Sequence, residues 1–177
     1  MSRTKKIVFH GLFIALLVAS AKVSFTVIPP VPFTLQSAVV ITCALVLGWQ
    51  SVITVGLYVA MGLAGLPVFA AGGGIGYVLY PTFGFTIGFL FCALICGLLY
   101  AKFRTVKGSV LAVSVGTVVI YFCGILYYLI IKKFYFAESV DFWKIILTFY
   151  VVFIPSDIIK GVVCIIIAKR LQPITLQ

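Results

Sequence analysis

The sequence predicts an all-α integral membrane protein, a bundle of six transmembrane helices. Of its 177 residues, 64% are hydrophobic and only 9% are charged, whereas a soluble domain carries about 25% charged residues. The apolar residues form separate runs, several of them near or above the length of about 20 residues that crosses a hydrocarbon core. Residues 1–177 are therefore predicted to form a single transmembrane domain in a lipid bilayer.

The first three predicted spans lie in the N-terminal part of the chain. Residues 7–28 form the first span, which Pro29 and Pro30 end. The next apolar run, residues 35–64, has 30 residues and would be about 45 Å long as one helix, more than a hydrocarbon core of about 30 Å. We therefore expect two short helices with a break at residues 48–50, where a glycine precedes an interfacial tryptophan.

A glycine-rich connection and three further spans complete the predicted bundle. Residues 65–80 contain five glycines and one proline before the next apolar run, which favours a structured loop over a regular helix. The remaining spans are predicted at residues 81–100, 110–131 and 145–168.

Basic residues give the predicted orientation. With six spans, the N-terminus, the 102–107 connection and the C-terminus share one side, which collects Arg3, Lys5, Lys6, Lys102, Arg104, Lys107, Lys169 and Arg170. The positive-inside rule then places both termini in the cytoplasm of a multi-pass protein in the plasma or inner membrane. The connections at 29–34, 65–80 and 132–144 face outside together, which indicates a ligand entrance.

Three other classes of function find no support in the sequence. The formal charge of +10 lies at helix ends, as expected for membrane orientation rather than for nucleic-acid binding. Cys92 and Cys96 share a helix face but lack a second ligand pair, so no metal site is predicted. A Ser/His/Asp set and a His-Glu-x-x-His motif are both absent from the sequence. We therefore predict neither an enzyme nor a bound cofactor.

The most informative polar residues are Asp157 and Lys160 in the last predicted span. Their spacing of three places them on one helix face. An ionisable group inside a membrane costs at least about 2.5 kcal/mol, so it normally faces a cavity or a partner. Two interpretations stay open: a site for a small polar molecule, or an internal ion pair that only fixes packing. Lys22, near the outer end of the first span, is expected to reach the headgroups, although it could instead pair with Asp157.

Two further features also have two interpretations each. The glycine-rich loop lacks the Gly-Lys-Ser/Thr ending of a nucleotide-binding loop. It is either a flexible connector or a cover over a ligand, with Phe69, Tyr77 and Tyr80 as flat contact surface. In the first span, Ala15 and Ala19 form a strip of small residues that permits close helix approach. This strip packs either within the bundle or against another membrane subunit.

Four segments together resemble the BioY family, the biotin-specific S components of energy-coupling factor (ECF) transporters. They are residues 30–36 (PVPFTLQ), 65–69 (GLPVF), 81–84 (PTFG) and 155–160 (PSDIIK), and they follow the family's order along the whole chain. Two residues depart from the family pattern. Phe83 stands where a second glycine usually follows Pro-Thr, and Lys22 lies in a normally uncharged span.

The resemblance implies a six-helix S component whose outer loops cap a biotin site on the external side. It implies three partners: a transmembrane coupling subunit and two cytoplasmic ATPases, which alone use ATP. It also implies that Asp157 and Lys160, with loop residues around Gly73, form the biotin site. By the same resemblance, Ala15 and Ala19 would meet the coupling subunit.

The chemistry of biotin fits these residue types. Biotin has a ureido group with two N–H donors and one carbonyl, an apolar thioether ring and a tail that ends in a carboxylate. Asp157 suits the N–H groups, and Lys160 suits the tail carboxylate. The remaining candidates for the ureido oxygen and the rings are Gln36, Phe33, Thr34, Phe69, Tyr77 and Tyr80. The alternatives are a membrane scaffold or assembly subunit with a structural Asp-Lys pair, an intramembrane enzyme, or an S component for a different small vitamin.

Overall fold

The computed structural model of the chain describes residues 3–28, 31–137 and 142–176. Side chains are described in the same ranges apart from 25–28, 31–33, 142, 144–146, 148–152 and 172–176. Within these residues the fold consists of six α-helices, two short 3-10 helices and one antiparallel hairpin of two strands. The elements are α1 (Arg3–Lys22), β1 (Ser24–Ile28), β2 (Val31–Thr34), α2 (Gln36–Leu47), α3 (Ser51–Leu63), α4 (Phe83–Lys102), α5 (Val106–Phe134) and α6 (Phe142–Leu176).

Long apolar helices confirm the predicted membrane class. By length and composition, four segments of the described chain qualify as candidate membrane spans: Arg3–Lys22, Gln36–Leu63, Phe83–Lys102 and Val106–Phe134. The second of these consists of α2 and α3 together with the turn between them. Large apolar side chains such as Phe122 of α5 and Ile159 of α6 point outward and are exposed. A soluble protein rarely exposes so much apolar surface, whereas hydrocarbon solvates it readily.

The predicted break in the second apolar run is present. A 3-10 turn at Gly48–Gln50 separates α2 from α3, and Gly48 has a φ of 61°, which glycine adopts readily. Gln36 donates a hydrogen bond of 2.7 Å to the Tyr58 hydroxyl, 22 residues along the chain. A continuous helix would place these residues about 33 Å apart. The chain therefore reverses direction at the turn, and α2 and α3 run antiparallel.

The first span predicted at residues 7–28 is wrong at its end. Helix α1 stops at Lys22, and Ser24–Ile28 forms β1, in which Ser24 pairs with Thr34 of β2. Residues 26–28 are β-branched, which favours extended backbone. Hydropathy alone does not separate such an apolar strand from the last turns of a helix. The predicted helix terminators Pro29 and Pro30 lie outside the described residues.

The later helices are longer than predicted. Helix α5 covers Val106–Phe134 rather than 110–131, and α6 covers Phe142–Leu176 rather than 145–168. The prediction ended each helix near its basic residues, yet Lys107, Lys132 and Lys133 lie inside α5. Long basic side chains at a helix end can reach the headgroup region while the helix continues.

Glycines allow α4 and α5 to pack closely. Gly84 and Gly88 are four residues apart on α4, a spacing that brings helix backbones together. A Cβ atom added to Gly88 would lie 2.9 Å from the Cα of Ile120, and one added to Gly84 would lie 2.8 Å from the Cys123 carbonyl oxygen. On the other helix, Gly124 makes room for the Phe85 ring. This approach fixes the facing side chains of α4 and α5 that line the cavity described below.

The loop at residues 65–80 folds back on the end of α3, as expected for a structured loop. The Gly74 amide donates to the Gly62 carbonyl over 2.7 Å. A side chain at Gly73 would collide with the Leu66 carbonyl group. Gly72 and Gly74 have φ values of 123° and 100°, which other residues rarely adopt. The glycines therefore set the path of this loop.

Candidate binding site

A cavity lies between α2, α4, α5 and α6 and reaches the glycine-rich loop. About 80 Å³ of it is open to the centre of a water molecule, several times the roughly 10–15 Å³ that one water requires. The lining combines hydroxyl and amide groups, aromatic rings and one acid-base pair. Its described members are Thr34, Gln36, Ser37, Ala70, Tyr77, Thr82, Phe85, Thr86, Phe89, Thr117, Ile120, Tyr121, Phe153, Asp157 and Lys160.

The acid-base pair of α6 faces this cavity. The Lys160 Nζ lies 2.9 Å from the Asp157 Oδ1, and the two side chains are 11% and 13% exposed. The Tyr121 hydroxyl of α5 donates to the other carboxylate oxygen, Oδ2. Both oxygens of Asp157 therefore have donors, and the three side chains share one wall of the cavity. The pair lines an open space and is not sealed in a solid core.

Gln36 connects the cavity to the loop above it. Its side chain is buried at the start of α2 and donates to the Tyr58 hydroxyl of α3. Tyr58 in turn donates to the Val68 carbonyl oxygen over 3.1 Å. Hydrogen bonds therefore connect Gln36 in the cavity wall, through Tyr58, to Val68 of the glycine-rich loop.

The structure separates the predicted ligand residues into two groups. Thr34, Gln36, Tyr77, Asp157 and Lys160 line the cavity. The others lie behind or beside the lining, apart from Phe33, whose side chain is outside the described part of the chain.

Phe69 packs behind the cavity wall and supports Tyr77. The Phe69 side chain is 1% exposed, with its ring centroid 4.5 Å from that of Tyr77. Tyr80 is half-exposed and stacks on Tyr77, with 5.1 Å between the two ring centroids. Gly73 belongs to the turn that closes onto Leu66. Burial raises the pKa of the Tyr77 hydroxyl above its usual value of 10.0, so this group is a neutral donor near pH 7.

Sequence reasoning missed most of the wall contributed by α4 and α5. The missed residues with polar groups are Thr86 of α4, Thr117 and Tyr121 of α5, Thr82 directly before α4, and also Ser37 of α2. Two of the pairs, Thr82 with Thr86 and Thr117 with Tyr121, are spaced by four residues. Residues four apart lie on the same face of a helix, so each pair places two polar groups on one face of an apolar span. This pattern could have identified them from the sequence.

The strip of small residues on α1 faces outward. Ala15 and Ala19 are exposed, whereas Phe13 and Leu17 form the buried side of the helix. Packing within the bundle therefore does not account for the strip.

Lys22 contacts the glycine-rich loop. Its Nζ donates to the Phe69 carbonyl oxygen over 3.0 Å, while Asp157 is paired with Lys160. The predicted alternative in which Lys22 pairs with Asp157 is therefore not what the structure shows.

The BioY family model matches this chain over residues 1–177. The chain belongs to the BioY family. A biotin transporter BioY of Thermotoga maritima is 35% identical over 175 residues, which cover 98% of this chain and 99% of the relative. A probable biotin transporter BioY of Pyrococcus horikoshii is 36% identical over 172 residues, which cover 96% and 98% of the two chains. These BioY relatives are named as transporters, which confirms the prediction of a chain that is not an enzyme.

The fold also matches that of a solved structure. The crystal structure of the S-component for biotin from an ECF-type ABC transporter superposes with a TM-score of 0.83, at 23% identity. The match covers 98% of this chain and 95% of the other. The predicted S-component type of fold is thereby confirmed for this member of the BioY family.

Proposed function

We propose that the chain is the biotin-capturing S component of an ECF-type uptake transporter. It binds biotin from the external side and delivers it together with a transmembrane coupling subunit and two cytoplasmic ATPases. All six helices cross the plasma or inner membrane, with both termini in the cytoplasm. The observation that carries this proposal is the cavity in which Gln36, Tyr121, Asp157 and Lys160 converge in a BioY-family chain. The names of the relatives support biotin as the substrate.

The ion pair supports a specific placement of biotin. The ureido group and the tail carboxylate lie at opposite ends of biotin, whereas the charged atoms of Asp157 and Lys160 are 2.9 Å apart. One edge of the ureido group presents an N–H beside its carbonyl oxygen. Asp157 accepts from this N–H and Lys160 donates to the carbonyl, so both bind the same end. This placement replaces the expectation that Lys160 holds the tail.

The rest of the lining suits the remaining parts of biotin. Phe85, Phe89 and Phe153 cover the fused rings, while Thr34, Gln36 and Tyr77 supply polar groups on the loop side. Phe69 and Tyr80 hold Tyr77 in place. Gly73 shapes the covering loop, and Phe33 belongs to the hairpin next to Thr34.

Uptake by whole cells tests the proposed function. Cells that neither synthesise biotin nor import it are supplied with the coupling subunit and ATPases, with or without this chain. We expect saturable accumulation of labelled biotin only when the chain is present, and no accumulation of thiamine or riboflavin. Transport of another vitamin in place of biotin would show a different substrate. No uptake by cells that contain the folded chain in their membrane would contradict the proposal.

Replacing Ala19 with Trp is expected to reduce uptake at least about tenfold while biotin binding by the purified chain stays unchanged. The exposed strip of Ala15 and Ala19 is proposed to contact the coupling subunit, where small residues permit close helix approach. A large ring on this strip separates the two helices. Val118→Trp, at an exposed position of α5, is the matched control and should transport normally. Equal uptake by both variants would place the docking surface elsewhere.

Replacing Tyr121 with Phe is expected to weaken biotin binding about tenfold. The change removes the hydroxyl that donates to Asp157, and a hydrogen bond to a charged group contributes about 1.5–3 kcal/mol. Without this donor the carboxylate is less well held for the ureido N–H. Tyr135→Phe, at an exposed position after α5, is the control. Calorimetric titration of both variants with biotin measures the difference, and unchanged affinity of Tyr121→Phe would remove Tyr121 from the site.

A further inference from the structure

We propose that Lys22 is a positioning residue for the binding site, which holds the glycine-rich loop over the cavity from the end of α1. This inference rests on the proposed function, because it assigns to Lys22 a role in the entry and release of the ligand. Lys22 is the last residue of α1. Its ammonium group donates to the Phe69 carbonyl oxygen, 47 residues further along the chain, over 3.0 Å.

The backbone that Lys22 holds is directly next to the cavity. Ala70 follows Phe69 and lines the cavity, and Tyr77 of the same loop lines it as well. The Phe69 ring is packed between Tyr58 and Tyr77, at centroid distances of 5.5 and 4.5 Å. A shift of the Phe69 backbone therefore moves two lining residues, Ala70 directly and Tyr77 through its ring contact.

A second hydrogen bond holds the neighbouring carbonyl group. Tyr58 of α3 donates to Val68, and Tyr58 itself accepts from Gln36 of the cavity lining. Two successive carbonyl groups, those of Val68 and Phe69, are thus bound from α3 and from α1. The contact from α1 is the charged one, and charge-assisted hydrogen bonds are the stronger class.

The ammonium group of Lys22 contacts the glycine-rich loop from the end of α1. A lysine at the end of an apolar helix can extend its side chain toward the headgroups and water. Here the ammonium group instead lies within hydrogen-bond distance of a loop carbonyl. Biotin that reaches the cavity past the covering loop enters and leaves only while the loop is open, so a contact that stabilises the closed loop slows capture and release alike.

Two measurements on Lys22→Met, Lys22→Arg and the parent test this role. Hydrogen exchange of the loop amides, measured without biotin, reports the hold on the loop. We expect exchange at Gly72 and Gly74 about fivefold faster in Lys22→Met, since a partly exposed charged hydrogen bond is lost. The association and dissociation rates of biotin should both rise by about the same factor of five, while the equilibrium affinity changes less than about twofold. Lys22→Arg keeps a charged donor and should restore the loop exchange and both rates.

Lys102→Met, the same substitution at the end of α4, is the matched control and should behave as the parent. Parent-like loop exchange and dissociation in Lys22→Met would overturn the proposal, as would a failure of Lys22→Arg to restore them. Should Lys22→Met not fold, Lys22→Gln takes its place with the same expected direction. If the parent bound no biotin, the proposed function would fail, while loop exchange would still show whether Lys22 holds the loop.

Discussion

Asp157→Asn and Lys160→Met are each expected to weaken biotin binding about 10- to 100-fold, because each removes one charge-assisted hydrogen bond of about 1.5–3 kcal/mol to the ureido group. Both side chains are nearly buried beside the cavity, so water does not readily replace the hydrogen bond that each substitution removes. Each substitution also removes the opposite charge from its partner in the ion pair, which disturbs the group that remains. Calorimetric titration of the purified variants with biotin measures both effects.

The double variant adds a test of the pairing. Because Asp157 and Lys160 are in direct contact, the loss in the double variant should be smaller than the sum of the two single losses. Lys169→Met, at an exposed position near the end of α6, is the control for loss of a lysine and should bind as the parent does. If both single variants bound biotin like the parent, the assignment of the site to this pair would be wrong.

A biotin analogue with a neutral tail shows which end Lys160 binds. Biotin amide keeps the ureido group but lacks the tail carboxylate. If Lys160 donates to the ureido carbonyl, Lys160→Met weakens binding of biotin and of the amide by the same factor. If Lys160 instead held the tail, the substitution would weaken binding of biotin alone, and the placement at the ureido end would be refuted.

Gly88→Ala is expected to destabilise the folded chain by about 1–3 kcal/mol, the usual cost of overpacking a tight interface. The added methyl group would lie 2.9 Å from the Cα of Ile120 and 3.0 Å from its carbonyl oxygen. These are backbone atoms of α5, so the two helices must move apart. The cavity lies between the same helices, so biotin binding should fall as well. Thermal unfolding in detergent, followed by size-exclusion chromatography, measures the loss of stability.

Gly56→Ala provides a matched control for this prediction. The substitution is the same and also lies within a helix, α3, but its Cβ would be 3.9 Å from the nearest atom, Leu90 Cδ2. Alanine favours a helix over glycine by about 1 kcal/mol, so Gly56→Ala should be neutral or stabilising. Equal unfolding temperatures for both variants would show that close packing at Gly88 is not needed.

Simple physical constraints made part of this fold predictable from the sequence. The length of an apolar run is limited by the thickness of the membrane, and for that reason residues 35–64 were divided correctly at Gly48–Gln50. Charges inside an apolar span are costly, which is why Asp157 and Lys160 were found and do face a cavity.

Other features depend on contacts that the sequence does not show. Thr86 and Thr117 are neutral, so placing them in a membrane span costs little free energy. In the sequence nothing distinguishes them from packing residues, and only the approach of α4 to α5 places them in the cavity wall. Phe69 has a flat aromatic ring that would suit a lining residue, but in the structure this ring packs against Tyr77. The end of α1 was missed because an apolar strand and an apolar helix end have the same hydropathy.

Equilibrium binding of labelled biotin to the purified chain, without coupling subunits, tests the central claim most directly. We expect saturation at one biotin per chain, with displacement by unlabelled biotin and by biotin amide but not by thiamine, which lacks a ureido group. Absence of saturable binding by a chain that still unfolds cooperatively on heating would contradict the claim that the cavity beside Asp157 and Lys160 is a biotin site.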